Sequence, residues 1–168
     1  MAVTTEMIKA LREETGAGVM DAKRALDASA GDVAKAKAIL REQGMAAAAK
    51  RAERGTSEGI IESYIHAAGR IGVLVEVNCE TDFVAKTDDF KTLARNIAMQ
   101  IAAMSPALIS KDDPDRDKHE GSDEEVCLMS QPFIRDSSRT IEHLVQDAVA
   151  KTGENIRVRR FSRFELGR

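Results

Sequence analysis

One stretch of the chain constrains the fold more than any other: in IGVLVEVN, residues 71–78, apolar residues alternate with others. The alternating residues are Ile71, Val73, Val75 and Val77. This is the period of a β-strand with one buried face. Ile61 and Ile65 continue the pattern upstream, and the intervening HAAGR contains Gly69, which can adopt positive φ. The pattern therefore predicts a β-hairpin.

Two segments beyond the hairpin have the 3.6-residue spacing of amphipathic helices. The first spans about residues 88–104, and its predicted buried face consists of Phe90, Leu93, Ile97 and Ile101. The second is SSRTIEHLVQDAVAKTG, residues 137–153, which ends at a glycine. A last strand is predicted over 155–167, with a bulge between Val158 and Phe161 where the alternation breaks. These elements predict an α+β fold, a small antiparallel sheet of about three strands with helices packed on one face.

The N-terminal part predicts a separate helical unit. Residues 1–44 contain three short amphipathic segments, with a first break at TGAG, residues 15–18. Their apolar stripes are rich in small residues, which suits a tight three-helix bundle, and Gly44 is predicted to end the third helix. Residues 45–57 are alanine-rich and basic and predict a helical linker. The α+β core then occupies residues 58–168.

The second helix of this bundle begins with two adjacent apolar residues, Val19 and Met20. The helical stripe that continues through Ala22, Ala25 and Leu26 places Val19 on the inner side. Only one of two successive side chains can easily face the bundle core. The other is a candidate surface contact.

Composition and charge exclude several classes of function. The net charge is −3 and aromatic residues make up 4%, which argues against nucleic-acid binding by bulk charge or base stacking. The charged N-terminus lacks the apolar segment of a signal peptide, and no apolar run approaches the roughly 20 residues that cross a bilayer. Cys79 and Cys127 have no CxxC spacing, so the sequence predicts a cytoplasmic protein with reduced thiols. The acidic segment 110–125 is predicted to be a mobile loop.

The sequence offers little for enzymatic chemistry. Cys79 and His66 could suggest a nucleophile and its base, but the hairpin places them at opposite ends, separated by roughly 20 Å at the rise of a strand. His119 and His143 lack metal-ligand spacing. No catalytic residue, cofactor or metal site is predicted.

The segment NCETDFVAK, residues 78–86, leaves two readings open for Phe83. The ring could pack the corner between the hairpin and the following helix. It could instead remain exposed for a partner, since Val84 and Phe90 are available to close the corner. Asp82 beside the ring would then supply a charge that could act on a metal or phosphate site in that partner. We favour the second reading, an exposed apolar and acidic tip at a rigid strand end.

Two long stretches closely resemble the signature motifs of the elongation factor Ts family: LREETGAGVMDAKRAL (11–26) and EVNCETDFVAK (76–86). YIHAAGRIGVLVE, QPFI, GENIRVRRF and RFELG extend the similarity over nearly the whole chain. The resemblance implies a guanine nucleotide exchange factor for elongation factor Tu that makes no covalent change. It also implies that residues 1–44 are similar to ubiquitin-associated (UBA) modules.

The resemblance further implies the residues that contact elongation factor Tu. The tip would enter the GTP-binding domain and disturb the Mg²⁺ site and phosphate loop through Thr81, Asp82, Phe83 and Val84. The residues implied to hold the same domain from the bundle are Leu11, Val19, Met20 and Lys23. Those implied to reach a distal domain are His66, Phe133 and Ile134.

The chain departs from the long members of that family, which have a duplicated core. One copy here carries both the tip and the His66 hairpin, and an acidic segment replaces a helical stretch ahead of QPF. A symmetric homodimer, paired through the sheet face or an edge that includes IRVRRF, is therefore predicted. Two other hypotheses stay open: an adaptor that binds a helix or ubiquitin-like partner through residues 1–44, and a small hydrolase that uses Cys79.

Overall fold

The chain forms a helical N-terminal part followed by a small sheet with helices on one face, and the computed structural model describes residues 3–167. The helices are α1 Thr5–Thr15, α2 Val19–Ala28, α3 Val33–Arg51, α4 Asp82–Ala85, α5 Asp88–Met104, α6 Asp123–Val126 and α7 Ile141–Thr152. The strands are β1 Glu58–His66, β2 Ile71–Cys79, β3 Pro132–Phe133, β4 Asp136–Thr140 and β5 Arg157–Glu165. This is the α+β architecture that the sequence predicted.

Strands β1, β2 and β5 form an antiparallel sheet in that order. The predicted hairpin is confirmed, because β1 and β2 pair from Glu58 opposite Cys79 to His66 opposite Ile71. The predicted bulge in the last strand is also confirmed. Glu76 pairs with Arg160 while the next residue of β2 pairs with Val158, which leaves one additional residue in β5.

The sheet buries one face against α5, and α7 packs on α5 in the same core. Val73, Val75 and Val77 belong to the core, as do all four predicted buried residues of α5. Ile61 and Ile65, however, are 66% and 65% exposed, so the expectation that they continue the buried pattern is wrong. They pair with Glu76 and Gly72, which alternate along β2 with the buried valines, and paired residues in an antiparallel sheet share a face. Both isoleucines therefore lie on the outer face.

Helices α1 to α3 enclose a second, smaller core made of Leu11, Ala22, Ala25, Leu26 and Ala36. Thr4 caps α1 and Asp32 caps α3 through side-chain hydrogen bonds. Helix α3 does not end at Gly44 as predicted but continues to Arg51. A side chain at position 44 would lie 3.4 Å from the Ala150 Cβ on α7, so the glycine permits close packing between two helices. Helix α3 thus connects the bundle to the core.

The acidic segment has more local structure than the predicted mobile loop. Its centre contains a short 3₁₀ turn at Arg116–Lys118, followed by α6. The Arg116 guanidinium donates to Asp123 Oδ1 at 2.7 Å, to the His119 carbonyl at 2.8 Å and to the Gly121 carbonyl at 2.7 Å. One arginine therefore organises the local structure of the segment that was predicted to be a mobile loop. The sequence also failed to predict the β3–β4 hairpin.

Candidate partner-binding site

Phe83 lies on α4, directly after the end of β2, and is 80% exposed. Val84 is half-buried against the core and Phe90 is fully inside it, so these two residues close the corner. The corner-packing reading of Phe83 is therefore wrong. An apolar ring with this exposure, held at a strand end, is available to a partner.

The backbone of the tip is held by a short cap and by a distant carboxylate. Thr81 Oγ1 accepts a hydrogen bond from the Val84 N–H at 3.4 Å and so caps α4. Glu154 Oε2 accepts from the Glu80 and Thr81 N–H groups at 3.1 and 3.0 Å, and Thr81 Oγ1 donates to Glu154 Oε1 at 2.6 Å. Glu154 was not among the predicted site residues. Its only sequence signal was its place in GENIRVRRF, because no periodicity connects residues 73 positions apart.

Asp82 carries a negative charge beside the Phe83 ring. Its Oδ2 lies 2.5 Å from Lys86 Nζ, one helical turn further on. The hydrogen bond from Lys86 lowers the pKa of the Asp82 carboxyl, and backbone N–H groups at the start of α4 act in the same direction. The carboxyl is thus ionised at neutral pH, but Lys86 offsets much of its charge.

The structure excludes the hydrolase hypothesis, because its candidate nucleophile, Cys79, is neither accessible nor ionised. Cys79 is fully buried, and its Sγ donates to the Thr81 carbonyl at 3.1 Å. Burial, followed by the nearby charge of Glu154, raises the pKa of the Cys79 thiol to about 11, so the thiolate is not populated at neutral pH. His66 lies at the other end of the hairpin. Within residues 3–167, no three His, Cys, Asp or Glu side chains are grouped to hold a metal ion.

A second surface lies at the start of α2. Val19 and Met20 are 50% and 63% exposed, so the expectation that Val19 faces inward is wrong, and Lys23 is exposed on the same helix. Leu11 is completely buried in the bundle core. The predicted direct contact through Leu11 therefore needs correction, since this side chain can act only by shaping the bundle from inside.

A third group of predicted residues is held by α5. His66 is exposed, and its Nδ1 lies 3.1 Å from the Tyr64 Oη, while the Arg95 guanidinium lies 5.0 Å from the Tyr64 ring centroid. Ile134 is partly exposed, and its N–H donates to Gln100 Oε1 at 3.0 Å.

Both contacts lead to α5, since Arg95 and Gln100 both belong to this helix. The two residues are separated by about 7.5 Å along its axis. Phe133 is buried in the main core, so it supports its neighbour Ile134 rather than offering a surface. The structure brings the four tip residues together. It keeps them at the opposite end of the hairpin from His66.

The outer face of the sheet carries a patch of exposed apolar side chains: Ile61, Ile65, Leu74 and Phe164. Ile65 pairs with Gly72, and Gly72 pairs in turn with Phe164, so the patch crosses all three strands. Ile156 and Val158 of the IRVRRF segment are buried instead. The exposed apolar surface of this sheet therefore lies on its outer face rather than on the inward residues of that segment.

Comparisons with known proteins identify one family. The family model described as "Elongation factor TS" matches residues 29–122. The chain is 49% identical to "Elongation factor Ts" of Carboxydothermus hydrogenoformans, with 98% of this chain and 89% of the relative covered. It is 50% identical to that of Heliobacterium modesticaldum, with 98% and 90% covered. It is 47% identical to that of Thermotoga neapolitana, with 99% and 98% covered.

The alignments span 194 positions, more than the 168 residues of the chain, so the relatives contain additional residues within the matched region. The described residues include no helix with the length and apolar character needed to traverse a bilayer.

Proposed function

This chain belongs to the elongation factor Ts family, the factors of translation elongation, and we propose that it is a guanine nucleotide exchange factor that binds elongation factor Tu·GDP and promotes GDP release. The observation that carries this proposal is the exposed Phe83 ring at a tip whose backbone is fixed by hydrogen bonds. The factor makes and breaks no covalent bond. It works in the cytoplasm, where its partner is engaged in protein synthesis.

In the proposed mechanism, Phe83 inserts into the GTP-binding domain of elongation factor Tu near the Mg²⁺ and phosphate sites. Burying a phenylalanine side chain contributes about 1.5–3 kcal/mol, and this gain is available because the free protein leaves the ring in water. Thr81, Asp82 and Val84 shape the same tip. Since the ring favours the nucleotide-free partner, linkage requires that it weakens GDP binding by the same factor.

Asp82 adds an electrostatic contribution. A carboxylate brought close to the partner's Mg²⁺ or phosphate groups competes for the metal or repels the phosphates. The ion pair with Lys86 reduces this effect. Asp82 is therefore the weaker of the two side chains in the proposed mechanism.

The remaining predicted contacts hold the partner at a distance from the tip. We assign Val19, Met20 and Lys23 to the GTP-binding domain and His66 and Ile134 to a distal domain of elongation factor Tu. The exposure of these five side chains supports the assignment. Leu11 and Phe133 act from the two cores beneath these surfaces.

We also propose that a second copy of this chain covers the outer face of the sheet. The apolar patch on that face spans three strands, and a three-stranded sheet buried on one side only leaves much apolar surface exposed. Two-fold pairing places the same patch on both sides of the interface. It would also let one protomer insert its tip while the other grips the distal domain, because the tip and His66 lie at opposite ends of one hairpin.

The test is the release of fluorescently labelled GDP from elongation factor Tu, followed by stopped flow. Acceleration that rises with the concentration of this protein and saturates is expected. Tight binding without acceleration would instead support the adaptor hypothesis, in which the exposed Val19 and Met20 of the bundle bind a partner.

A further inference from the structure

The tip rests on an exchange of hydrogen bonds between two segments far apart in sequence. Glu154 accepts from the backbone N–H groups of Glu80 and Thr81, at 3.1 and 3.0 Å. In return, Glu80 Oε1 accepts from the Asn155 N–H at 2.6 Å. Each segment thus donates backbone groups to the other segment's glutamate. We call Glu80, Thr81, Glu154 and Asn155 the clasp.

The clasp reaches α4 through Thr81, whose carbonyl accepts from the Ala85 N–H at 3.3 Å and whose hydroxyl links Glu154 to the helix. Thr81 Oγ1 donates to Glu154 Oε1 at 2.6 Å and accepts from the Val84 N–H at 3.4 Å. Helix α4 has only four residues, and a helix of one turn has no stability of its own. The direction in which Phe83 points therefore depends on contacts outside α4. These are the packing of Val84 and Ala85 against the core and the charge-assisted hydrogen bonds that Glu154 accepts.

The clasp is also fixed on the side of α3. Asn155 is buried, and its Nδ2 donates to the carbonyls of Ala52 at 3.3 Å and Arg54 at 2.8 Å. Gly153 ends α7 with φ of 75°, a conformation that glycine adopts without strain, and so turns the chain toward β2. The clasp therefore joins the end of β2, the start of β5 and the end of α3.

We propose that Glu154 is a positioning residue for nucleotide exchange, which fixes the direction of Phe83 without contacting the partner. This inference rests on the proposed exchange function. Fixing the tip before binding removes the ordering cost that a loose four-residue segment would add when the ring inserts. If Glu154 had only a structural role, as an acceptor for backbone N–H groups, its replacement would reduce the stability of the fold without a specific effect on the rate of GDP release.

The experiment compares the full-length variants Glu154→Ala and Glu154→Gln with the control Glu142→Ala. Glu142 is an exposed glutamate on α7 whose side chain pairs with Gln146, away from the tip. Glu154→Ala is expected to lower the maximal rate of GDP release by about tenfold, equivalent to about 1.4 kcal/mol. Its half-saturating concentration should change less. Glu154→Gln keeps one acceptor oxygen and should fall between Glu154→Ala and the wild type.

Two further measurements separate positioning from folding and from the proposed function itself. Amide hydrogen exchange at Val84 and Ala85, measured without any partner, should accelerate in Glu154→Ala and not in Glu142→Ala. In a double-mutant cycle, Glu154→Ala should cause little further loss when Phe83 is already alanine, because the two residues act through one step.

Full exchange activity in Glu154→Ala would overturn the proposal, as would losses that multiply with Phe83→Ala. If Glu154→Ala does not fold, Glu154→Gln carries the comparison. A wild-type rate of GDP release together with unchanged amide exchange at Val84 in this variant would also overturn the proposal. A wild-type protein that fails to accelerate GDP release would reject the exchange function, while the amide-exchange result would still report on the clasp.

Discussion

Replacing Phe83 by alanine tests the proposed mechanism most directly. The ring is 80% exposed, so only about a fifth of its surface is buried in the free protein. Since complete burial of a phenylalanine contributes about 1.5–3 kcal/mol, the substitution should reduce the free energy of unfolding by no more than about 0.6 kcal/mol. The variant should therefore fold normally.

The effect on exchange should be larger, because the ring moves from water into the partner. Because about four fifths of the ring is exposed in the free protein, the substitution removes about 1.2–2.4 kcal/mol of burial energy in the complex, and about 1.4 kcal/mol within this range corresponds to a tenfold slower release of GDP. Stopped-flow release of labelled GDP from elongation factor Tu measures this rate, and thermal or urea unfolding measures stability. Met104→Ala is a suitable control, since Met104 is also an exposed apolar residue at a helix end but lies at the far end of α5.

Two results would refute the reasoning. Exchange at the full rate would show that the ring has no part in the step. A loss of stability of several kcal/mol with exchange intact would return Phe83 to a packing role, in conflict with its exposure. A tenfold loss of exchange in a variant of near-normal stability, with no loss in Met104→Ala, is the expected outcome.

Further predictions follow from the same contacts. Asp82→Asn should slow GDP release by about threefold, less than Phe83→Ala, because Lys86 already offsets the charge; stopped flow measures the difference. Burial and then the Arg41 charge lower the pKa of His143, so this group should not affect the free energy of unfolding above pH 6.5 and should reduce it as the pH falls below 6.5. The measurement is the denaturation of the wild type and of His143→Gln between pH 7 and pH 5. Equal pH dependence in the two proteins would contradict this prediction. Phe164→Asp should yield monomers by light scattering without unfolding, since this residue is 69% exposed on the outer face; an unchanged mass would reject that interface.

The alternation in β2 and the helical period of α5 were enough to predict their buried faces, because the apolar residues of each element lie mainly in one phase; Leu74 is the exception in β2. The buried face of strand β1 was harder to predict. Its sequence GIIESYIH has apolar residues at both odd and even positions, so the pattern does not determine which face is buried. The pairing of Ile61 with Glu76 determines the phase, and that information lies in the register between strands.

Gly44 shows a second reason why a prediction from the sequence can fail. A glycine after an apolar helical stripe favours a helix end, and that local rule failed because α3 needs a small residue where it approaches Ala150. Tertiary packing therefore overrides the local preference. The same packing alters what a truncation would do: removal of residues 1–54 would uncover the face of α7 that α3 covers.

The candidate site likewise contains one residue that the sequence predicts and another that it does not. Phe83 could be found because a ring in a polar segment between a strand and a helix is unusual, and because its motif resembles a known one. Glu154 could not be found from spacing, since it meets Thr81 across 73 residues. Side chains that contact a partner leave a signal in the local sequence, whereas those that hold them in place depend on the fold.

The length of the hairpin determines how far a single protomer can reach. Nine residues of β2 separate the tip from the turn beside His66, which corresponds to roughly 27 Å at the rise of an antiparallel strand. The strand pairing and the packing of α5 on the sheet hold the two contact groups at opposite ends of this span. A partner whose two binding surfaces do not match that span and direction cannot engage both groups of one protomer. A second copy related by a two-fold axis removes the constraint, since it presents another His66 in a different orientation to the same partner. In the proposed dimer, pairing through the outer face and the proposed exchange through the tip are therefore linked by geometry, and a monomeric Phe164→Asp variant should lose affinity for elongation factor Tu while its tip keeps the clasp intact.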